Sequence, residues 1–222
     1  MNQPMNQESE HGLSAECGRL LSQGLHQLGL ALTAEQQQRL LSYVGLLHRW
    51  NRTYNLTAVR QPEAMIERHL LDSLSVVPYI EGQNIADVGT GPGLPGIVLA
   101  IVYPEKKFTL MDSNGKKTRF LQQAKQALSL ANIDIYNGRV ETYPEQHSFD
   151  TVISRAFASL NAMLSWTGSL AAADARFLAM KGAYPDQELA ELPAGFELLN
   201  AYPLQVPNCE GERHLLVFRT IS

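Results

Sequence analysis

After Glu81 the sequence alternates between short strand-like runs and helical runs, and this alternation constrains the fold more than any other feature. It predicts crossover units on a mostly parallel sheet with helices on both faces. The last two strand-like runs are joined by PNCEGE, which indicates an antiparallel hairpin at one edge. The predicted strands are NIADV, KFTLMD, IDIYN, FDTVIS, RFLAMK, FELLNAYPLQV and RHLLVFRT, and the predicted helices cover about 95–103, 116–130, 159–166 and 185–192.

The chain before this alternation has a helical pattern. Thr33 and Gln36 form a capping box ahead of a run with apolar residues at helical spacing, and Pro62 opens a further helix. The first residues are polar and acidic, without the basic start and apolar centre of a signal peptide. We therefore expect a disordered tail over 1–12, a helical region over 13–80 and a Rossmann-like domain over 81–222, packed as one globular unit.

Composition limits the possible settings of the protein. With 222 residues, of which 45% are hydrophobic, the chain can bury one core. Its longest apolar run, LPGIVLAIVY, has about half of the roughly 20 residues that cross a bilayer, so we expect no membrane contact. Cys17 and Cys209 have no metal-ligand spacing, which predicts packing roles, no metal site and a cytoplasmic location. The net charge of −4 argues against a general nucleic-acid coat protein.

The segment DVGTGPGLPG stands between the first predicted strand and the next helix. A doubly wound sheet binds nucleotide-like ligands at this position. Gly89, Gly91 and Gly93 would allow close approach of the backbone to a ligand, and the helix N-terminus offers unpaired N–H groups. A glycine-rich turn without a ligand is the alternative, since this pattern alone is weak evidence.

Two carboxylates favour one type of ligand. Asp112 ends the second strand, where a carboxylate accepts ribose hydroxyls; the alternative is a turn residue before 113–115. NAD and S-adenosylmethionine both contain an adenosine ribose. Asp87, at the start of the glycine segment, would repel a pyrophosphate but attract a sulfonium or ammonium group. This electrostatic argument favours S-adenosylmethionine.

The glycine segment, extended to DVGTGPGLPGIVLA, resembles the first motif of class I methyltransferases. More closely, the chain resembles the RsmG (GidB) family of bacterial 16S rRNA guanine-N7 methyltransferases, from about Leu13 onward. The further motifs that carry this resemblance, in the same order, are HRWNRTYNLTAV, RHLLDSL, LMDSNGKKTRFL, GRVE, FDTVISRAFASL, MKG and GERHLLVF.

The resemblance implies a class I, Rossmann-like fold with S-adenosylmethionine as cofactor. It implies methylation of the N7 of a guanine in the 530-loop region of 16S rRNA, giving 7-methylguanosine. The substrate would be the small ribosomal subunit or its assembly intermediate, with no obligate protein partner evident. Together with the residue-level argument, it gives the cofactor-site candidates Asp87, Gly89, Thr90, Gly91, Gly93, Leu94, Asp112, Val140, Glu141 and Arg155.

The implied reaction needs no general base, because N7 of guanine carries a lone pair and no proton. Catalysis would come mainly from holding the reactants in line. Arg155, Lys181 and Arg139 are the candidates for positioning the substrate. For Lys181 the alternative is a solvated lysine before a turn, and for Arg139 it is a residue that caps the site.

Basic residues are the candidates for RNA contact, although a solvated helix face is the alternative on charge alone. Trp50 and Tyr54 could stack on an unpaired base, but we expect Trp50 to anchor a helix end to the core. His69 lies on an apolar stripe and is expected to be a hydrogen-bonded core histidine. The RNA-binding candidates are Arg49, Arg52, Arg60, Arg68, Lys116, Lys117 and Arg119.

Two other functions are compatible with parts of the pattern. One is an NAD(P)-dependent oxidoreductase, which the position of Asp87 disfavours. The other is a non-catalytic RNA-binding module that retains an empty pocket. Binding of each cofactor distinguishes the first alternative, and analysis of 16S rRNA modification distinguishes the second.

Overall fold

The computed structural model describes residues 12–144, 148–157 and 159–221. Residues 1–11, which make up nearly all of the predicted tail, lie outside this part of the chain. The described chain begins with helices, as the sequence predicts, and continues into a sheet. The division of the chain at residue 80 into two regions stays a prediction.

The capping box at Thr33 is confirmed. The Thr33 hydroxyl accepts a hydrogen bond from the Gln36 amide, and the Gln36 side chain accepts one from the Thr33 amide. These contacts satisfy two amides that the first helical turn leaves unpaired. The helices of this region are α1 (Ala15–Gln27), α2 (Ala34–Tyr54), α3 (Pro62–Met65), a π-helical segment (Ile66–Leu71) and α4 (Asp72–Leu74).

A mixed sheet forms the rest of the scaffold. Within the described residues its seven strands lie in the order β3-β2-β1-β4-β5-β7-β6. The first five strands are parallel, whereas β7 is antiparallel to both β5 and β6. The predicted parallel sheet with an antiparallel edge hairpin is therefore confirmed. The strands are β1 (Asn84–Val88), β2 (Lys107–Asp112), β3 (Ile133–Asn137), β4 (Phe149–Arg155), β5 (Ala171–Lys181), β6 (Phe196–Pro203) and β7 (His214–Thr220).

Helices cover both faces of this sheet. The apolar side chains of α1 and α2 form one buried cluster with those of α5 and α6, and α7 packs in a second cluster that also contains residues of β5 and β7. None of the described helices is long and apolar enough to cross a membrane. The helices that follow β1, β2, β4 and β5 are α5 (Gly96–Val102), α6 (Gly115–Ala127), α7 (Leu160–Thr167) and α8 (Asp186–Ala190).

The strand order places a crevice at the carboxyl end of β1. From β1 the chain proceeds to β2 and β3 on one side, and then returns to β4 and β5 on the other. The chain connections on the two sides of β1 therefore run toward opposite edges of the sheet. Open α/β sheets bind their ligands at such a switch point.

Candidate functional site

The glycine segment forms a tight loop between β1 and α5. Gly89, Gly91 and Gly93 all have positive φ, at 68°, 61° and 99°. A side chain at these positions would strain the backbone, which explains why glycine is used. Tyr43 of α2 supports the loop from below, because its buried hydroxyl donates a 2.9 Å hydrogen bond to the Pro92 carbonyl.

Asp87 lies beneath this loop and is fully buried. Its Oδ2 accepts hydrogen bonds from the Thr90 hydroxyl at 2.5 Å and from the Gly96 amide at 2.7 Å. Burial raises its pKa from 3.8 to about 6. From the sequence, Asp87 is expected as a charge close to the ligand, whereas its side chain lines neither cavity described below. The hydrogen bonds of Asp87 therefore shape the loop, and its negative charge acts on a ligand from beneath the loop, without direct contact.

Asp112 links the end of β2 to the loop. Its Oδ2 accepts from the Gly91 amide at 2.9 Å, and its Oδ1 accepts from the Asn114 amide at 2.8 Å. The second contact is the turn role that the sequence left open as an alternative. The Lys117 ammonium lies 3.5 Å from Oδ2. Asp112 is 8% exposed, and this small exposed part faces a cavity.

A first cavity of about 390 Å³ opens at the carboxyl ends of β1, β2 and β3. Gly89 and Asp112 lie on one side of it. Arg139, Val140 and Glu141 lie on the loop after β3, and they also line this cavity. The cavity thus brings together predicted residues from three separate segments.

Phe157 and Trp166 also line the first cavity, in edge-to-face contact with 5.6 Å between ring centroids. Sequence reasoning missed both rings. An aromatic residue just beyond the fourth strand was the available signal for Phe157, because it follows the site-bearing end of β4. Trp166, which is 40% exposed, lies on α7 and gave no local signal.

A second cavity of about 520 Å³ lies at the carboxyl ends of β4 and β5. It shares Gly89 and Lys117 with the first cavity, so the two adjoin across the glycine loop. Cations predominate among its charged lining residues, against a single carboxylate, Asp72. These cations are Arg68, Lys117, Arg155, Lys181 and Arg213.

Two of the predicted positioning residues are held by carboxylates. Arg155 Nη1 donates to Asp72 Oδ2 at 3.0 Å, and Asp72 Oδ1 lies 3.4 Å from Arg213 Nε. Lys181 Nζ is bonded to both Glu188 oxygens, at 2.8 and 2.9 Å. Lys181 is therefore not a solvated lysine. Sequence reasoning did not single out Asp72 or Arg213, although both stand in the quoted motifs RHLLDSL and GERHLLVF.

The third positioning candidate is more exposed. Arg139 makes a 3.3 Å ion pair with Glu141, and 70% of its side chain is open to solvent. Both residues line the first cavity, away from Lys181 and Arg155. The structure thus separates Arg139 from the other two candidates.

The helical region supplies the outer wall of the second cavity. His69 is buried; its Nε2 lies 2.8 Å from the Thr57 hydroxyl and its Nδ1 lies 3.1 Å from the Arg68 carbonyl. Burial and the nearby Arg155 cation lower its pKa to about 4. The expected hydrogen-bonded core histidine is confirmed, and its ring also borders the cavity. Trp50 packs edge-on against Phe120 of α6, as expected for an anchor.

The RNA-contact candidates divide into two groups. Arg68 and Lys117 reach the second cavity. The other five are exposed and line neither cavity: Arg49, Arg52, Arg60, Lys116 and Arg119. In the described chain, no group of three or more His, Cys, Asp or Glu residues is arranged to hold a metal ion.

This strand order, with β7 inserted antiparallel between β5 and β6, defines the class I methyltransferase fold. A solved structure of a SAM-dependent methyltransferase from Aquifex aeolicus has this fold: the TM-score is 0.55 at 17% identity, covering 71% of this chain and 93% of that one. The family model described as rRNA small subunit methyltransferase G matches residues 36–216. The chain belongs to that family.

Close relatives agree with this assignment. The protein named ribosomal RNA small subunit methyltransferase G from Ectopseudomonas mendocina is 55% identical over 201 residues, which cover 90% of this chain and 94% of the relative. The protein of the same name from Marinomonas sp. is 55% identical over 197 residues, covering 89% and 95%. Family and fold together indicate S-adenosylmethionine as cofactor, as predicted.

Proposed function

We propose that the protein transfers the methyl group of S-adenosylmethionine to N7 of one guanine in the 530-loop region of 16S rRNA, giving 7-methylguanosine. The observation that carries this proposal is the pair of cavities that adjoin at Gly89. One cavity has a carboxylate and aromatic rings suited to an adenosine. The other is rich in cations suited to a polyanionic RNA.

The first cavity fits the adenosine part of the cofactor. Asp112 offers a carboxylate to the ribose hydroxyls, and Val140 and Glu141 border the space for the adenine ring. The methionine part would extend past Gly89 and Thr90 into the second cavity. Asp87, with a pKa of about 6, is mostly ionised at pH 7. Its negative charge favours a sulfonium and ammonium ligand over the pyrophosphate of NAD(P).

The proposed reaction needs no general base, in line with the prediction from the sequence. The N7 lone pair forms the bond to the methyl carbon, the carbon–sulfur bond breaks, and the sulfur retains the electron pair. No proton moves, and the products are a cationic 7-methylguanine and S-adenosylhomocysteine. His69 would be a poor base, because its low pKa means a weak affinity for a proton and both ring nitrogens have partners.

Positioning is then the main catalytic task, and it is worth roughly 7 to 11 kcal/mol in favourable cases. Arg155 and Lys181 stand at the ends of neighbouring strands and border the second cavity. Ion pairs with Asp72 and Glu188 hold them in fixed orientations. Both side chains can therefore donate to guanine O6 or to a phosphate while leaving N7 open to attack.

The small ribosomal subunit or an assembly intermediate is the proposed substrate. A net charge of −4 limits affinity for naked RNA, since nonspecific binding depends on phosphate neutralisation. A ribonucleoprotein surface presents the loop already shaped, so fewer cations are needed. We accordingly place the reaction in the cytoplasm, where these subunits are found.

The test is methylation of small subunits from cells that lack the gene. Purified protein and labelled S-adenosylmethionine are added, and the modified nucleotide is mapped by mass spectrometry. We expect one 7-methylguanosine in the 530-loop region, with naked 16S rRNA a poorer substrate. Label at another atom or in another RNA would overturn the proposal. Tight NAD binding without affinity for S-adenosylhomocysteine would favour the oxidoreductase instead.

A further inference from the structure

Tyr54, the last residue of α2, presents an aromatic ring to solvent. Its ring stacks on that of Trp50, one helical turn earlier, with 5.1 Å between centroids and 30° between planes. Trp50 is in turn fixed by its edge-to-face contact with Phe120, at 5.7 Å. Although it is stacked on one side, Tyr54 remains 43% exposed. An ordered ring of this size is therefore available at the surface.

Two short connections link this ring to residues of the second cavity. Asn55 adopts the left-handed conformation, with φ at 51°, and ends α2 directly after Tyr54. The reversed chain then runs through Leu56 and Thr57, which line the cavity. The cavity residue Lys117 lies three positions before Phe120 on α6. Residues three apart on a helix are neighbours, about 5 to 6 Å between Cβ atoms, so both connections lead from the aromatic stack to residues that line the cavity.

The surroundings of Tyr54 are cationic. Arg60 Nη2 donates to Asn55 Oδ1 at 2.8 Å, and Arg60 Nη1 donates to the Asn51 carbonyl at 3.3 Å. These bonds fix the Arg60 guanidinium against the end of α2. The exposed ring and this positive charge together suit a ligand that combines a flat apolar ring with a phosphate.

We propose that Tyr54 is a stacking platform for an unpaired base that flanks the target guanine. This inference rests on the proposed function and adds a second nucleotide site to it. The second cavity receives the guanine, so a neighbouring nucleotide must pass over the cavity rim. Because Trp50 holds the Tyr54 ring in place, the base meets a surface that loses little conformational freedom on binding. Stacking at the rim holds the strand while N7 is aligned.

Three substitutions at position 54 test the platform. The measurements are kcat and KM for small subunits from cells lacking the gene, with the affinity for S-adenosylhomocysteine as a second readout. Tyr54→Phe keeps the ring, Tyr54→Leu keeps apolar bulk without a π-face, and Tyr54→Ala removes both. Tyr202→Ala is the matched control, because Tyr202 also contacts another ring, that of Tyr79 at 4.5 Å, but lies on the edge strand β6 and not at the end of α2.

We expect Tyr54→Phe to match the wild type and Tyr54→Leu and Tyr54→Ala to lower kcat/KM by about 5- to 100-fold, mainly through KM. Cofactor affinity should not change. Wild-type kcat/KM in Tyr54→Leu would overturn the platform and leave a packing role. An equal loss in Tyr54→Phe would also overturn it and would assign the effect to the hydroxyl. If Tyr54→Ala fails to fold, the comparison of Tyr54→Phe with Tyr54→Leu still tests whether an aromatic ring is required. Failure of the proposed function is distinct, because the wild type would then produce no 7-methylguanosine.

Discussion

Asp72 Oδ2 accepts a 3.0 Å hydrogen bond from Arg155 Nη1, which joins the helical region to the end of β4 at the floor of the second cavity. The same carboxylate lies 3.4 Å from the Nε of Arg213, the residue directly before the last strand. Asp72 is 6% exposed, so its charge is paired where water has little access. A single carboxylate thus aligns two guanidinium groups that come from distant parts of the chain.

Asp72→Asn should therefore reduce stability. The amide keeps one acceptor but loses its charge, which leaves two guanidinium groups close together and poorly compensated. We expect the free energy of unfolding to fall by about 1 to 3 kcal/mol, the range for hydrogen bonds to charged groups. Urea denaturation measures the change. Asp174→Asn is the matched control, because Asp174 is exposed on β5; equal transition midpoints for the two variants would show that the pairing is unimportant.

Asp112→Ala should weaken cofactor binding by about 1 to 3 kcal/mol, because charge-assisted hydrogen bonds to the ribose are lost. The structure adds a second cause: the Gly91 amide loses its acceptor, so the loop is less well ordered. Calorimetry with S-adenosylhomocysteine measures the affinity. Asp134→Ala is the control, since Asp134 is 85% exposed in its side chain and lies on β3. Unchanged affinity in Asp112→Ala would remove this carboxylate from the cofactor site.

Local sequence predicted the first three strands well. The bounds of β1, β2 and β3 coincide with the predicted runs, because each is a short apolar segment bounded by turn residues. β5 begins at Ala171, five residues earlier than predicted. Its first part, AAADA, has no alternating pattern, and its pairing with β4 is irregular between Phe149 and Thr151. Tertiary pairing, which local sequence does not encode, extends this strand.

The site was predictable to the extent that it depends on local motifs. The glycine loop and Asp112 stand at fixed positions in a strand–turn–helix unit, so their positions follow from the sequence. The role of Asp72 depends on contacts with Arg155 and Arg213, 83 and 141 positions later in the chain. Its local setting is a helical segment, where an aspartate is usually a surface residue. Only the folded arrangement reveals its partners.

Gly96→Ala should destabilise the protein although the residue is helical. A Cβ there would lie 2.2 Å from Leu110 Cδ2 and 2.6 Å from Asp87 Oδ2, and both of these side chains are fully buried. We expect a loss of about 1 to 3 kcal/mol, as for other overpacked sites. Gly18→Ala in α1 is the contrast, because a Cβ there has no neighbour within 4 Å. It should gain about 0.5 to 1 kcal/mol, and thermal unfolding that ranks the two variants alike would contradict the packing argument.

Asp87 and His69 should make the stability of the protein depend on pH in opposite directions. The folded pKa of Asp87, about 6, exceeds its ordinary value of 3.8, so the folded state binds more protons between these values and stability falls as pH rises. The folded pKa of His69, about 4, is below its ordinary 6.5, so the unfolded state binds more protons and stability rises with pH. Each effect amounts to about 2 kcal/mol between pH 4 and 6.5.

Asp87→Asn separates the two contributions. The amide oxygen can still accept from Gly96 and Thr90, but the group no longer titrates. The free energy of unfolding of the wild type, measured relative to this variant by urea denaturation, should fall by about 2 kcal/mol from pH 4 to 6.5. Relative to His69→Gln, the wild type should gain a similar amount over the same window. If the wild type and Asp87→Asn change in parallel with pH, the Asp87 carboxyl titrates at its ordinary pKa and burial does not perturb it.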